Sequence, residues 1–189
     1  MSSMDMLDVG KANEFKLAAR RNGFTPTDLK KLCEGDILAQ VRQVLLGHAE
    51  IVEHVYKIDC DAQPMVPEGW IVEEHKTGGQ VVWNPHDFVL YLSPKQQRDK
   101  RIEGNKLRNE LVDKLVLNSN VLDFLYANRH LIPKEWKGKT VFFWGTVYRN
   151  QGGDLRVRYL YWNGSQWHWS AAWLDDLWDR TNPVLLRTS

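Results

Sequence analysis

His54, Asp59, Cys60, Asp61, His75 and His86 fall within one short stretch of the chain. Imidazole, thiolate and carboxylate together are a donor set that suits zinc. The spacing argues otherwise. No C-x-x-C, H-x-x-x-H or H-E-x-x-H pattern occurs, so no two ligands are placed in advance on one turn or one helix face. Histidines scattered over strands are more often surface residues. A small metal-dependent hydrolase using His54, His75 and His86 is the runner-up expectation, and no metal or cofactor is assigned.

A nucleophilic cysteine fares no better. Cys60 stands between Asp59 and Asp61, and two negative neighbours raise a thiol pKa and suppress the thiolate that would attack. Cys33 reads as part of the apolar face of a short helix. The glycine pairs in "KTGGQ" and "NQGGD" have the composition of hairpin turns, not of a strand-to-helix phosphate cradle. Glu73-Glu74 and Asp175-Asp176 are sequence neighbours, so on a strand they point to opposite faces and cannot share a substrate. No catalytic residue is expected.

What remains is aromatic and basic. Every tryptophan except Trp70 and Trp83 lies after residue 135. "YLYWNGSQWHWSAAWLDDLW" concentrates them further. Each large ring buries roughly 150–250 Å², so a few rings can fill a small sheet. Alternation puts Trp167, Trp169 and Trp173 on one side of a strand, against His168, Ser170 and Ala172. The first set is the expected core. On the preceding strand, Leu155, Val157, Tyr159 and Tyr161 share a face. Arg156 and Arg158 begin the other, which turns apolar at Leu160 and Trp162. A recognition surface is expected around Arg149, Arg156, Arg158, Tyr161 and Trp162, since aromatic surfaces of small barrels bind peptides, sugars or bases by stacking.

The elements that must position these residues follow from periodicity and stop signals. Residues 1–10 are expected to be loose. Three short helices fill 11–46, closed by Gly23, Gly35 and Gly47. Thr25 caps the second, with Pro26 at its first position. A small antiparallel sheet is expected over 49–92: a strand in "AEIVEHVYKID", a hairpin at 70–84 turning at Gly78-Gly79, and a strand in "PHDFVLYL". "SPKQQRDKRIEG", residues 93–104, reads as an exposed basic loop. Two helices follow at 105–130. Three strands then run from Lys139 to about residue 175, with turns at "NQGGD" and "NGS". The fold class is therefore α+β: N-terminal helices, a small antiparallel sheet, two connecting helices and a Trp-rich C-terminal antiparallel sheet of SH3-like barrel type. The expected division is 11–92 and 105–189, with packing as a single domain as the alternative.

"IP-x-x-WKGK", "FFWGT-x-YR", "VRYLYW" and the W-x-W pair before "WL" make a distinctive C-terminal pattern. The hairpin "GW-x-V-x-EH-x-x-GGQ" accompanies it. In these motifs the chain, over residues 12–189, resembles a family of uncharacterised bacterial proteins. The resemblance implies one natural unit and carries over no activity and no catalytic residue.

Bulk properties set the remaining bounds. A net charge of +1 in 189 residues gives no global field toward nucleic acid or membrane. No apolar run reaches 18 residues, so no membrane span is expected, and the start "MSSMDMLDVG" lacks a signal-peptide pattern. Two cysteines in unlike contexts suit a reducing compartment, so the cytoplasm is expected. The leading expectation is a non-enzymatic binding or adaptor protein with a protein partner, nucleic acid being the second candidate. A DNA-binding regulator using the helices at 11–46 is a further alternative. It rests on a helix-turn-helix outline with only Lys30 and Lys31 on the second helix, and on the basic loop at 95–101.

Overall fold

The computed structural model describes residues 9–52, 54–98 and 100–188. The expected loose start, Glu53 of the first expected strand and Asp99 of the basic loop lie outside them in whole or in part. The chain divides into two compact units, residues 1–54 and 55–189.

The first unit holds α1 (Val9–Arg21), α2 (Pro26–Leu32) and α3 (Ile37–Leu45). Thr25 caps α2 in a reciprocal box with Asp28. The Thr25 bonds hold the Asp28 carboxyl below its usual range. The glycine stops are in place: Gly23, Gly35 and Gly47 all take positive φ, where a Cβ would be strained. The apolar spacing on α3 is helical, yet Ile37, Leu38, Val41 and Leu45 are exposed. Ala19 is the one buried residue among those described in this unit.

The second unit carries β1 (Lys57–Asp59), β2 (Ile71–His75), β3 (Gln80–Val82) and β4 (Phe88–Tyr91), then α4 (Pro94–Gln97). Next come β5 (Ile102–Glu103), α5 (Gly104–Glu110) and α6 (Ser119–Ala127). The C-terminal strands are β6 (Thr140–Phe142), β7 (Thr146–Arg149), β8 (Leu155–Trp162), β9 (Trp167–Trp173), β10 (Leu177–Trp178) and β11 (Val184–Arg187). The class is α+β, and among the described residues seven strands make one mixed, curled sheet.

That sheet joins the two sheets expected from the sequence. β2 pairs with β7, and β4 pairs with β11, which in turn lies parallel to β6. β8 pairs with β6 and β7 on one side and with β9 on the other. The stretch "TVFFWGTVYR" is therefore one bent line, broken at Phe143–Gly145, whose two halves share β8. Gly145 makes the bend possible. A Cβ there would stand 2.7 Å from the Asn118 backbone nitrogen, and its N–H donates to the Leu117 carbonyl at 2.8 Å.

Several local expectations are corrected. The hairpin at 70–84 does not form. β3 pairs with β1 instead of β2, because Asp61 Oδ1 accepts from both Gly78 N–H and Gly79 N–H at 2.9 Å and turns the loop aside. Only Lys57–Asp59 of the first expected strand is extended in a ladder; Ile51 and Val52 are exposed. The expected loop at 93–104 starts as a capped helical turn. Buried Gln96 returns a bond to Ser93 N–H and donates to the carbonyls of Asp179 and Asn182. α5 stops at Glu110, so Leu107 and Leu111 are buried while Leu115 is exposed. Asn118 caps α6, its side chain accepting from the Asn120 N–H.

Core lies on both faces of the sheet. Phe143, Leu160, Trp167, Trp83 and Trp136 pack with α6 residues Val121, Leu122 and Leu125. Phe142, Trp144, Val157 and Trp178 pack with α5 residue Leu107 and with Leu111. Two-sided burial explains why both faces of "VFFW" are apolar. Of the three expected core rings on β9, Trp167 is buried and Trp169 packs partly against the α6-side cluster. Trp173 is 45% exposed, because it sits at the end of the strand, beyond the helix that covers the others.

Candidate binding surface

The alternation on β8 decides where each candidate residue goes. Tyr148 stands opposite Arg156 and Arg149 opposite Leu155. Arg149 and Tyr161 therefore lie on the face of Leu155, and Arg156, Arg158 and Trp162 on the other. The five residues do not form one surface.

Arg149 is committed to structure. Its Nε and Nη2 donate to both Glu73 oxygens at 3.0 and 2.8 Å, and Nη1 donates to the Gly153 carbonyl at 2.7 Å. It thus ties β2 to the β7–β8 turn, and its bonds hold Glu73 below the usual carboxylate range. Arg158, expected at an exposed surface, has no exposed area. Its Nη1 and Nη2 donate to the Asp123 carboxylate on α6 at 3.1 and 2.6 Å, and its guanidinium lies 4.2 Å from the Trp169 ring centre. Tyr161 is half-buried in a row with Tyr159 and His168. Trp162 carries the Lys137 ammonium 3.7 Å above its ring.

Arg156 is different. Its guanidinium stands between two indoles, 4.6 Å from the Trp173 ring centre and 5.4 Å from that of Trp70. Its Nε, like that of Arg158, is buried without an acceptor. Among the described residues no carboxylate reaches it, whereas Arg149, Arg158 and Arg108 have Glu73, Asp123 and Glu74. Alternation alone puts Trp173 with the core rings of β9 and gives Trp70 no role. The signal for the pairing is local: the Asn163–Ser165 turn sets Trp162 opposite Trp167, and counting back along both strands puts Arg156 opposite Trp173.

The chain matches no protein-family model, no curated protein and no solved structure. Its chemistry is therefore read from its own side chains.

Among the described residues, no group of three or more His, Cys, Asp and Glu side chains is arranged to hold a metal ion. His75 is committed on both nitrogens, with Nδ1 2.9 Å from Thr146 Oγ1 and Nε2 3.2 Å from the Cys60 carbonyl oxygen. His54 and His86 are exposed, and they lie in different units. Ser119 Oγ lies 3.0 Å from Thr146 Oγ1 and 2.7 Å from Tyr148 OH, but Ser119, Thr146 and Tyr148 have no exposed area. That hydroxyl chain fastens α6 to β7 and is closed to a substrate.

Cys60 is buried and its thiol pKa is pushed up to about 11, first by burial and then by Asp61 and Asp59. At pH 8 only about one thiol in a thousand is ionised. Iodoacetamide at that pH is expected to modify exposed Cys33 and to leave Cys60 untouched until denaturant is added. Mass spectrometry of the alkylated peptides reads the result; fast labelling of Cys60 in the native protein would contradict its burial.

The DNA-binding alternative has little geometric support. α2 spans Pro26–Leu32 and buries none of its residues, so it lacks the packing that fixes a recognition helix in a groove. No helix among the described residues is long and apolar enough to cross a membrane.

Proposed function

We propose that the protein is a non-enzymatic binding or adaptor module, working in the cytoplasm, whose C-terminal sheet receives an acidic group of a protein partner on Arg156 between Trp70 and Trp173. The supporting observation is the uncompensated guanidinium, held in place and partly stripped of water before any partner arrives. A guanidinium offers a planar fork that matches a carboxylate by paired hydrogen bonds. Flanking indoles fix its plane, so little side-chain freedom is lost on binding. Trp173, large and exposed at the same spot, supplies the apolar contact that anchors interfaces of this kind.

The test is affinity capture from a native-host extract with the wild-type chain, Arg156→Ala and Trp173→Ala. A hydrogen bond to a charged group contributes about 1.5–3 kcal/mol, so Arg156→Ala is expected to weaken capture by about tenfold or more. Folding of both variants is checked by circular dichroism. Equal capture by the wild type and Arg156→Ala rejects the proposal. Capture that nuclease abolishes would assign the partner to nucleic acid instead.

A further inference from the structure

Three strands end the sheet on its outer sides, namely β2, β4 and β9. Exposed strand edges template pairing with other chains, and proteins blunt them with charges, prolines, bulges or shortness. β2 is blunted: it carries Glu73 and Glu74 and a register shift between Val72 and Glu74. β4 has four residues, and Pro85 and Pro94 flank it. β9 has none of these devices. "WHWSAAW" contains no lysine, carboxylate or proline, and pairs with β8 over seven consecutive residues without a shift.

The ladder shows which groups of β9 are unused. Leu174 N–H donates to the Leu155 carbonyl at 3.0 Å, and Asn163 N–H to the Gln166 carbonyl at 3.1 Å. Those two bonds set the phase. Residues 168, 170 and 172 exchange both bonds with β8, and the intervening Trp169 and Ala171 aim their N–H and C=O groups away from it. No bond from another segment among the described residues reaches the Trp169 or Ala171 backbone. At Trp173 the edge closes, because Asp176 takes both its N–H, through the carboxylate, and its C=O.

We infer that β9 is the edge to which an extended, acidic segment of a partner protein adds as a further strand, with Trp169 and Ala171 supplying the backbone bonds and Arg156 the charge. The inference rests on the reading of Arg156 above and specifies its partner. Side chains of an added strand alternate, so its face on the Arg156 side meets Trp169 and Trp173. A carboxylate there reaches the guanidinium past the exposed Trp173 ring. The same charge argument sets aside a second copy of this chain as the occupant. A copy of β9 carries no carboxylate within the strand, and the two that follow it are already bonded inside their own copy, Asp175 by the Asn105 amide and Asp176 by the Trp173 N–H.

A random decapeptide library displayed on phage is the probe, panned against the full chain. Selected peptides are expected to be rich in Asp or Glu and in β-branched or aromatic residues. Binding of a selected synthetic peptide should slow hydrogen exchange at the Trp169 and Ala171 amides. It should weaken at least tenfold with Ala171→Pro, which removes one outward N–H where an edge strand tolerates proline. N-methylation along the peptide, which leaves the protein unaltered, should abolish binding at every second residue only.

Peptides that bind Ala171→Pro as well as wild type, or that tolerate N-methylation throughout, overturn strand addition. If such peptides still lose binding with Arg156→Ala, the function proposed above stands without it. A library that yields no binder, or a chain that light scattering shows to be a dimer broken by Ala171→Pro, also overturns the inference.

Discussion

Asp123→Ala is expected to destabilise the fold by about 3–5 kcal/mol, the range for removing one partner of a buried ion pair. The reason is the difference in exposure across the pair. Arg158 has no accessible surface, whereas Asp123 keeps 30% of its side chain exposed. Losing Asp123 leaves a full charge beside Trp169 and the α6-side core with no counter-ion among the described residues. Chemical unfolding at neutral pH measures the loss. The double variant Asp123→Ala/Arg158→Leu is expected to recover a large part of it, since an apolar replacement of a buried pair is often close to neutral. A loss under about 1 kcal/mol for Asp123→Ala, the scale of a surface pair, would show that Arg158 is hydrated after all.

Trp178→Ala is expected to cost a similar amount, about 3–5 kcal/mol, as large-to-small changes of a buried tryptophan do. Trp178 is 2% exposed, with its ring centre 3.8 Å from that of Phe142 and 4.9 Å from that of Trp144. It also stands opposite Ile102 in the short β10–β5 ladder, next to Leu177 opposite Glu103. Its indole N–H is buried with no acceptor in the protein. Trp178→Phe removes that unpaired donor while keeping a ring, so its loss should be under about half that of the alanine variant. Thermal unfolding of the two variants side by side reads the difference. Equal losses would mean that ring packing is not what Trp178 contributes.

The parts of the fold written in local signals were legible. The Thr25 cap of α2, the "NQGGD" and "NGS" turns, and the alternation that puts Arg156, Arg158, Leu160 and Trp162 on one face all agree with the structure. What escaped depends on partners distant in the chain. Glycines at 78 and 79 suit a tight hairpin, but Asp61 takes both N–H groups. Arg158 looks like a surface residue until Asp123 on α6 is brought beneath it. Trp173 obeys the same alternation as Trp167 and Trp169, and only the extent of the covering helix leaves it bare. The candidate surface was half legible for the same reason. Arg156 was found by its type and place on the strand, whereas Trp70 reaches it through the β2–β7 pairing, which no short window reveals.

β11 lies between β4 and β6, so residues 184–187 complete a sheet whose outer strand is residues 88–91. During synthesis, Phe88 must wait for Arg187 before its ladder can close. The meander β7–β8–β9 joins neighbours through short turns and needs no such delay. Closing long loops before any contact compensates them slows assembly. A ribosome-bound chain would therefore hold a finished meander beside an unfinished flank, and that flank is the part of the nascent protein most in need of a chaperone.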